Sequence, residues 1–408
     1  MSITRKALAV AFLAAVAPAV APGAEAQPPL RIGTSISRSG AYAELSQTLH
    51  RGYGLCVKHT NERGGVLGRK LELVVDDDQS LAPRAVMIYE KLIAEEKVDA
   101  VLGPFSSPLT EAVADVVERH RMPMLATAAA TTSIFRKGRR FVFMLVSPAE
   151  IYLEGLVDMA AQRGLRSIAI LYEDTLLPRT IARATAELAK KRGITVVLVE
   201  SYARDMTNFT ALLTKVRALN PDVLATPGYF NDAVAIVQQL KTLDVNPRMF
   251  AVTSGGDLLK FSEILGRSAE FVYGSAHWQP ELVTLRAGGL VPIARQYPGA
   301  REFVETYRKE FPGADLSYQT AQGYGGCQVF VEAVKRAGTL DRERLRDAIL
   351  KLDVNTAFGT FKVDADGVQI GHKMLMYQWQ DGKKVIVWPG EIAPSKPRFP
   401  MPPWSQRP

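Results

Sequence analysis

The sequence is poor in cysteine and histidine, and past its first two dozen residues no apolar run approaches the ~18 residues that span a membrane. Each shortage excludes something. Two cysteines, Cys56 and Cys327, cannot build a disulfide-rich scaffold or a four-cysteine zinc site. Both fall in predicted helices far apart in the chain; two buried free thiols are the expected state, with pairing in an oxidising compartment as the alternative. The histidines, His50, His59, His120, His277 and His372, are not spaced as metal ligands, and no H-E-x-x-H occurs. Gly33-Thr34-Ser35-Ile36-Ser37 fails as a nucleophile elbow at its last position. Asp76-Asp77-Asp78 lacks a calcium loop, and Gly323-Tyr324-Gly325-Gly326 lacks the strand that precedes a dinucleotide fingerprint. No catalytic constellation remains. The chain is read as performing no chemistry, with no cofactor and no metal.

Charge is also uninformative about a polymeric partner. The formal net charge is +8, but the basic residues lie in short separate runs such as Arg136-Lys137 and Lys190-Lys191-Arg192. These read as solvated faces and helix ends, so no nucleic acid is expected.

What is present begins with a leader. Arg5 and Lys6 precede an apolar run broken by Pro18 and Pro22, and Ala24-Glu25-Ala26 fits a cleavage site. A secretory signal peptide over 1–26 is therefore expected, with the mature chain starting at Gln27. From Leu30 onward, strand-like apolar runs alternate strictly with helix-period segments, the pattern of parallel sheets covered on both faces. The length exceeds what one core usually holds, so two lobes are expected. A proline-rich tail after Trp388 should run extended over the surface or be disordered.

The stretch that organises the chain is Val98-Asp99-Ala100-Val101-Leu102-Gly103-Pro104-Phe105-Ser106-Ser107-Pro108. A buried-type strand stops at Gly103-Pro104, and Leu109, Ala112, Val113, Val116 and Val117 then recur at helical spacing. Ser107 is the expected N-cap, with Pro108 at the first helical position. Hydroxyls, free N–H groups and a positive dipole end meet there, an arrangement suited to a carboxylate or phosphate. Ala128-Ala129-Ala130-Thr131-Thr132-Ser133 is a second small-residue loop after a strand end.

Several blocks together carry a resemblance: Arg31-Ile32-Gly33 with Ser39-Gly40, then Asn61-Glu62-Arg63-Gly64-Gly65-Val66-Leu67-Gly68-Arg69-Lys70, the Asp76 triplet, and Asn220-Pro221-Asp222-Val223. With the Val98 stretch they resemble the periplasmic leucine/isoleucine/valine-binding protein family, the type I solute receptors of bacterial ABC importers. The resemblance implies an α/β fold of two doubly wound parallel-sheet lobes joined by a three-stranded hinge, with the ligand closed in a cleft between them. Crossings are expected near Ser147, Ala276 and Val354, which gives a first lobe of 27–146 plus 277–353, a second of 147–276 plus 354–389, and a tail of 390–408. The implied function is an exported, periplasmic, monomeric receptor. It would deliver a small carboxylate-bearing solute, such as a branched-chain amino acid or a related aliphatic or aromatic acid, to an ABC permease in the inner membrane. The alternative is a sensor module of the same fold feeding a signalling partner.

By resemblance, Ser107 falls on the serine that receives the ligand's carboxylate, while Ala129 and Thr131 fall near the residues that hold its head group. Ser106 joins them as a donor, and Phe105 is a candidate for either wall or core. Leu177, Tyr229 and Phe230 are expected to form the apolar and aromatic wall of the second lobe. The family's ammonium-binding glutamate aligns with Ser254, which is not an acid, and Asp257 or Glu150 is left as a possible substitute.

Overall fold

The computed structural model describes residues 27–283 and 299–407; the expected signal peptide and the segment with Gly288-Gly289 and Pro292 lie outside them. The first sheet takes β1 (Leu30–Ile36), β2 (Leu71–Asp77), β3 (Ala100–Leu102), β4 (Met124–Ala126) and β5 (Val142–Met144) in the order β2-β1-β3-β4-β5, all parallel. Helices α1 (Ala43–Glu62), α2 (Ala82–Glu90) and α3 (Ser107–Arg119) connect its strands. Every residue of β3 and β4 is buried, as expected of strands covered on both faces.

The chain then leaves this sheet near Ser147 and begins a second. Helix α4 (Glu154–Gln162) leads to β6 (Ser167–Glu173), α5 (Leu176–Lys191), β7 (Thr195–Tyr202), α6 (Thr210–Leu219), β8 (Val223–Thr226), α7 (Phe230–Thr242), β9 (Met249–Val252), α8 (Leu259–Leu265) and β10 (Tyr273–Ala276). Next come α9 (Ala300–Glu310), α10 (Tyr318–Ala337) and α11 (Arg342–Leu350), then the hairpin β11 (Asp353–Asn355) and β12 (Thr360–Lys362). Strands β13 (Leu375–Gln380) and β14 (Lys383–Trp388) complete the second sheet, antiparallel, in the order β14-β13-β10-β9-β8-β6-β7.

Two expectations are corrected here. The third crossing is not at Val354. Met144 N–H donates to Gly367 O at 2.8 Å and Gln369 Nε2 to Leu145 O at 2.8 Å, so the chain from β11 through Gln369 stays on the first sheet. It passes over only around His372, whose Nε2 lies 3.0 Å from His277 O. The hairpin was misplaced because its short strands pair with each other and carry no sign of which sheet they face.

The cysteines are not free thiols: Cys56 and Cys327 form a disulfide joining α1 to α10 across 271 residues. Its cause is the closeness of the two helices. A Cβ on Gly52 would lie 2.0 Å from Thr320 O, and one on Gly323 would lie 2.2 Å from Leu49 O, so the backbones touch at this crossing. One turn beyond each glycine stands a cysteine, and the two Cα atoms are 6.1 Å apart, within bridging range.

Of the two states expected for the tail, the extended one is found. Phe399 lies between the guanidinium groups of Arg163 and Arg248, each 5.3 Å from its ring centroid; Met401 is buried; and Trp404 Nε1 donates to Val245 O at 2.9 Å.

Candidate functional site

In open α/β sheets the carboxyl ends of the strands face the ligand crevice. Here those of β3, β4, β6, β8 and β9 supply Phe105 to Ser107, Thr127 to Thr131, Glu173 to Leu177, Tyr229 and Phe230, and Thr253 to Asp257 respectively.

On the first lobe the two small-residue loops are stitched together. Phe105 bridges Ala128 in a parallel pairing, and Ala130 N–H donates to Ser107 Oγ at 3.2 Å. Ser107 is not the N-cap. Ser106 is, accepting from Leu109 N–H at 3.4 Å, with Ser107 as the first helical residue and Pro108 the second. The shift by one residue follows from the backbone. Ser106 has φ +88°, a left-handed conformation costly for a residue with a Cβ, and this turns the chain sharply enough for the helix to start immediately after it. Ser107 Oγ thus accepts from the neighbouring loop and keeps its own proton to donate. Ser106, Ser107, Ala129 and Thr131 are all buried, and Thr131 Oγ1 has no hydrogen-bond partner among the described residues.

The second lobe meets this wall through aromatics. Tyr42, from the turn before α1, packs 5.9 Å from the Phe105 ring and 5.0 Å, edge-on, from Tyr229, and its hydroxyl is buried without a hydrogen-bond partner among the described residues. Tyr42 was not among the site residues expected from the sequence; its signal there is an aromatic just after Ser39-Gly40. Burial pushes the Tyr229 phenol far above its ordinary value, so it stays protonated. Phe230 faces elsewhere, packing on Gly255 and beneath Lys260 Nζ, which is 5.9 Å from its ring centroid. Leu177 is buried at the start of α5, which touches α3 across the interface.

Ser254 lies near the Tyr318 hydroxyl at the start of α10. Three residues on, Asp257 is fully buried, with Oδ1 accepting from Gln319 Nε2 at 3.3 Å and Oδ2 unpartnered among the described residues. Burial raises its carboxyl to about 6, against the pull of Lys384. Glu150 accepts from Thr132 Oγ1, and its second oxygen is also buried and unpartnered among the described residues. Neither Gln319 nor Tyr318 was singled out in the sequence, because nothing in a helical pattern says that its first turn will face a loop some sixty residues earlier.

The lobes are closed on one another. Lys260 pairs with Glu44, and Arg204 reaches across to Ser80 O at 3.4 Å while its guanidinium lies 4.6 Å from the Tyr42 ring centroid.

Comparison with known proteins agrees with this architecture. A family model described as periplasmic binding protein matches residues 29–384, and the chain belongs to that family. It is 28% identical over 405 residues to the Leu/Ile/Val-binding protein homolog 7 of Brucella suis biovar 1, covering 95% of this chain and 98% of that one. Among solved structures it is similar to a leucine-binding protein, LivK, from Thermotoga maritima, with a TM-score of 0.79 and 23% identity, covering 90% of this chain and 99% of that chain. It is also similar to an ABC-transporter solute-binding protein from R. palustris in complex with benzoate, with a TM-score of 0.75 and 18% identity, covering 90% and 98%.

Proposed function

We propose that this chain is an exported periplasmic receptor that closes its two lobes on a small carboxylate-bearing solute and presents it to an ABC permease, without chemistry on the solute. The observation that carries the reading is the first-lobe wall. Ser107 has a proton to donate, Thr131 Oγ1 is buried without a partner among the described residues, and the α3 N-terminus adds the Ser107 N–H and a positive dipole end. A carboxylate satisfies all three; an apolar head would leave them buried and unpaired, at about 1–3 kcal/mol each. Ala129 keeps the loop narrow, and Tyr229 and Leu177 cover the solute from the second lobe, with Ser254 and Phe230 supporting that wall. Titration calorimetry against matched acids and their primary amides tests the reading. The acid should bind more tightly than the amide, and a protein that prefers the amide would overturn it.

A further inference from the structure

One fully buried polar group of the interface is not used by that reading. Asp257 is fully buried, yet one of its two carboxylate oxygens has no hydrogen-bond partner among the described residues. A carboxylate in that position is costly unless a donor meets it. The groups packed around it come from four elements. Gln319 and Tyr318 belong to α10, Tyr377 to β13, Lys384 to β14, and Asp315 to the segment before α10. Gln319 Nε2 is spent on Oδ1. Among the described residues around it Lys384 is the cation, but its Nζ donates to the main-chain oxygen of Asp257 and lies 3.8 Å from Asp315 Oδ1. The Tyr377 hydroxyl is itself unpartnered among the described residues, as is Gln319 Oε1. Two unpartnered acceptors, Asp257 Oδ2 and Gln319 Oε1, therefore lie where a second-lobe loop meets a first-lobe helix. An aliphatic side chain lodged against them would bury both unsatisfied.

We propose that the solute carries a cationic or amide nitrogen at the end remote from its carboxylate, and that Asp257 receives it with Gln319 beside it. This rests on the carboxylate-receptor reading above. The solute is then polar at both ends, its acid on the first-lobe hydroxyls and its nitrogen on the opposite wall. Asp257 acts as the residue that separates such solutes from apolar acids of equal length.

Titration calorimetry at mildly alkaline pH with two matched pairs, 5-aminopentanoate against pentanoate and lysine against norleucine, tests it. In at least one pair the nitrogen-bearing member should bind at least about tenfold more tightly, the range for a hydrogen bond to a charged group. Asp257→Asn, which keeps the shape and removes a buried charge, should erase most of that preference. Equal or tighter binding of pentanoate and norleucine by the unaltered protein overturns the assignment, a result that needs no variant to fold. A preference that survives in Asp257→Asn overturns it as well. Pentylamine serves as the control for the underlying reading: if it binds while no acid does, the carboxylate reading fails and the Asp257 assignment stands.

Discussion

At the back of α3 in the first lobe, Arg139 is buried against Glu111 and Asp115, and each of its guanidinium edges finds an oxygen. In the second lobe, Asp257, Glu173 and Asp232 are buried with less to offset them. Lys384 and Arg204 are the cations in reach, and both are engaged elsewhere. The titration behaviour follows. Burial alone would raise Glu111, but Arg139 and Lys137 outweigh it and hold its carboxyl below the ordinary value. Burial and the nearby Asp232 push Glu173 up to about 7. One lobe has settled its electrostatics internally; the other keeps unsettled carboxylates near the interface. That is the division expected when one wall is pre-organised and the other completes its bonding on the solute. The covalent staple falls on the settled side.

The largest effect should come from removing that staple. Cys56→Ala with Cys327→Ala should lower stability by ~2–4 kcal/mol, since the bridge closes a very long loop. Thermal unfolding by calorimetry should show the first lobe melting earlier than the second. An unchanged melting profile would mean that the close packing at Gly52 and Gly323 holds α1 to α10 unaided.

Next in size is the pre-organised wall itself. Ser107→Ala should weaken solute binding by ~1.5–3 kcal/mol, the cost of losing a hydrogen bond to a charged group. It should cost folding only about 1 kcal/mol, because the cap belongs to Ser106 and only the bond from Ala130 N–H is lost. Unchanged affinity would reduce Ser107 to a stitch between two loops.

Much of this wall could be read from the sequence. Gly103-Pro104 and the periodicity after Leu109 locate the strand end and the helix, and hydroxyls beside them follow directly. The cap itself was off by one, because a left-handed serine gives no compositional sign. What could not be read depends on approach between distant segments. Cys56 and Cys327 become partners only once Gly52 and Gly323 are known to face each other, and Asp257 meets Gln319 only once the lobes close. Single-sequence patterning reports periodicity along an element, not which element lies opposite.

The pH dependence of stability sharpens the contrast between lobes. Asp257 and Glu173 have folded-state values near 6 and 7, above those of the unfolded chain. The folded form therefore holds their protons more tightly. The stability this contributes is fully present below about pH 4 and is lost as pH rises through about 7, on the order of 2 kcal/mol for Asp257. Glu111 has the opposite sign: its contribution is present above the ordinary carboxylate value and lost as pH falls through its depressed one. Chemical denaturation between about pH 4 and pH 8 should show the Asp257→Asn variant losing much of the decline seen in the parent protein. An identical pH profile in the two would place the sensitivity elsewhere.

The smallest effect concerns the contacts that hold the walls together. Lys260 and Glu44 pair across the interface with side chains 49% and 44% exposed, so the pair lies in the range of surface ion pairs, about 0.2–1 kcal/mol. Arg204 adds a cation–π contact to Tyr42, the residue that touches both Phe105 and Tyr229. Neither contact is in the folded core of a lobe. Both exist only when the lobes are closed, so a loss there shifts the open–closed balance without unfolding anything. Lys260→Ala should therefore leave thermal stability within about 0.5 kcal/mol of the parent. Small-angle scattering of the solute-free protein should show a larger radius of gyration in the variant, and saturating solute should restore the parent's value. Because the open state is favoured only slightly, affinity should fall by no more than about fivefold. A variant whose solute-free radius matches the parent's would show that this pair adds nothing to closure, leaving the balance to Arg204 and the aromatic contacts behind it.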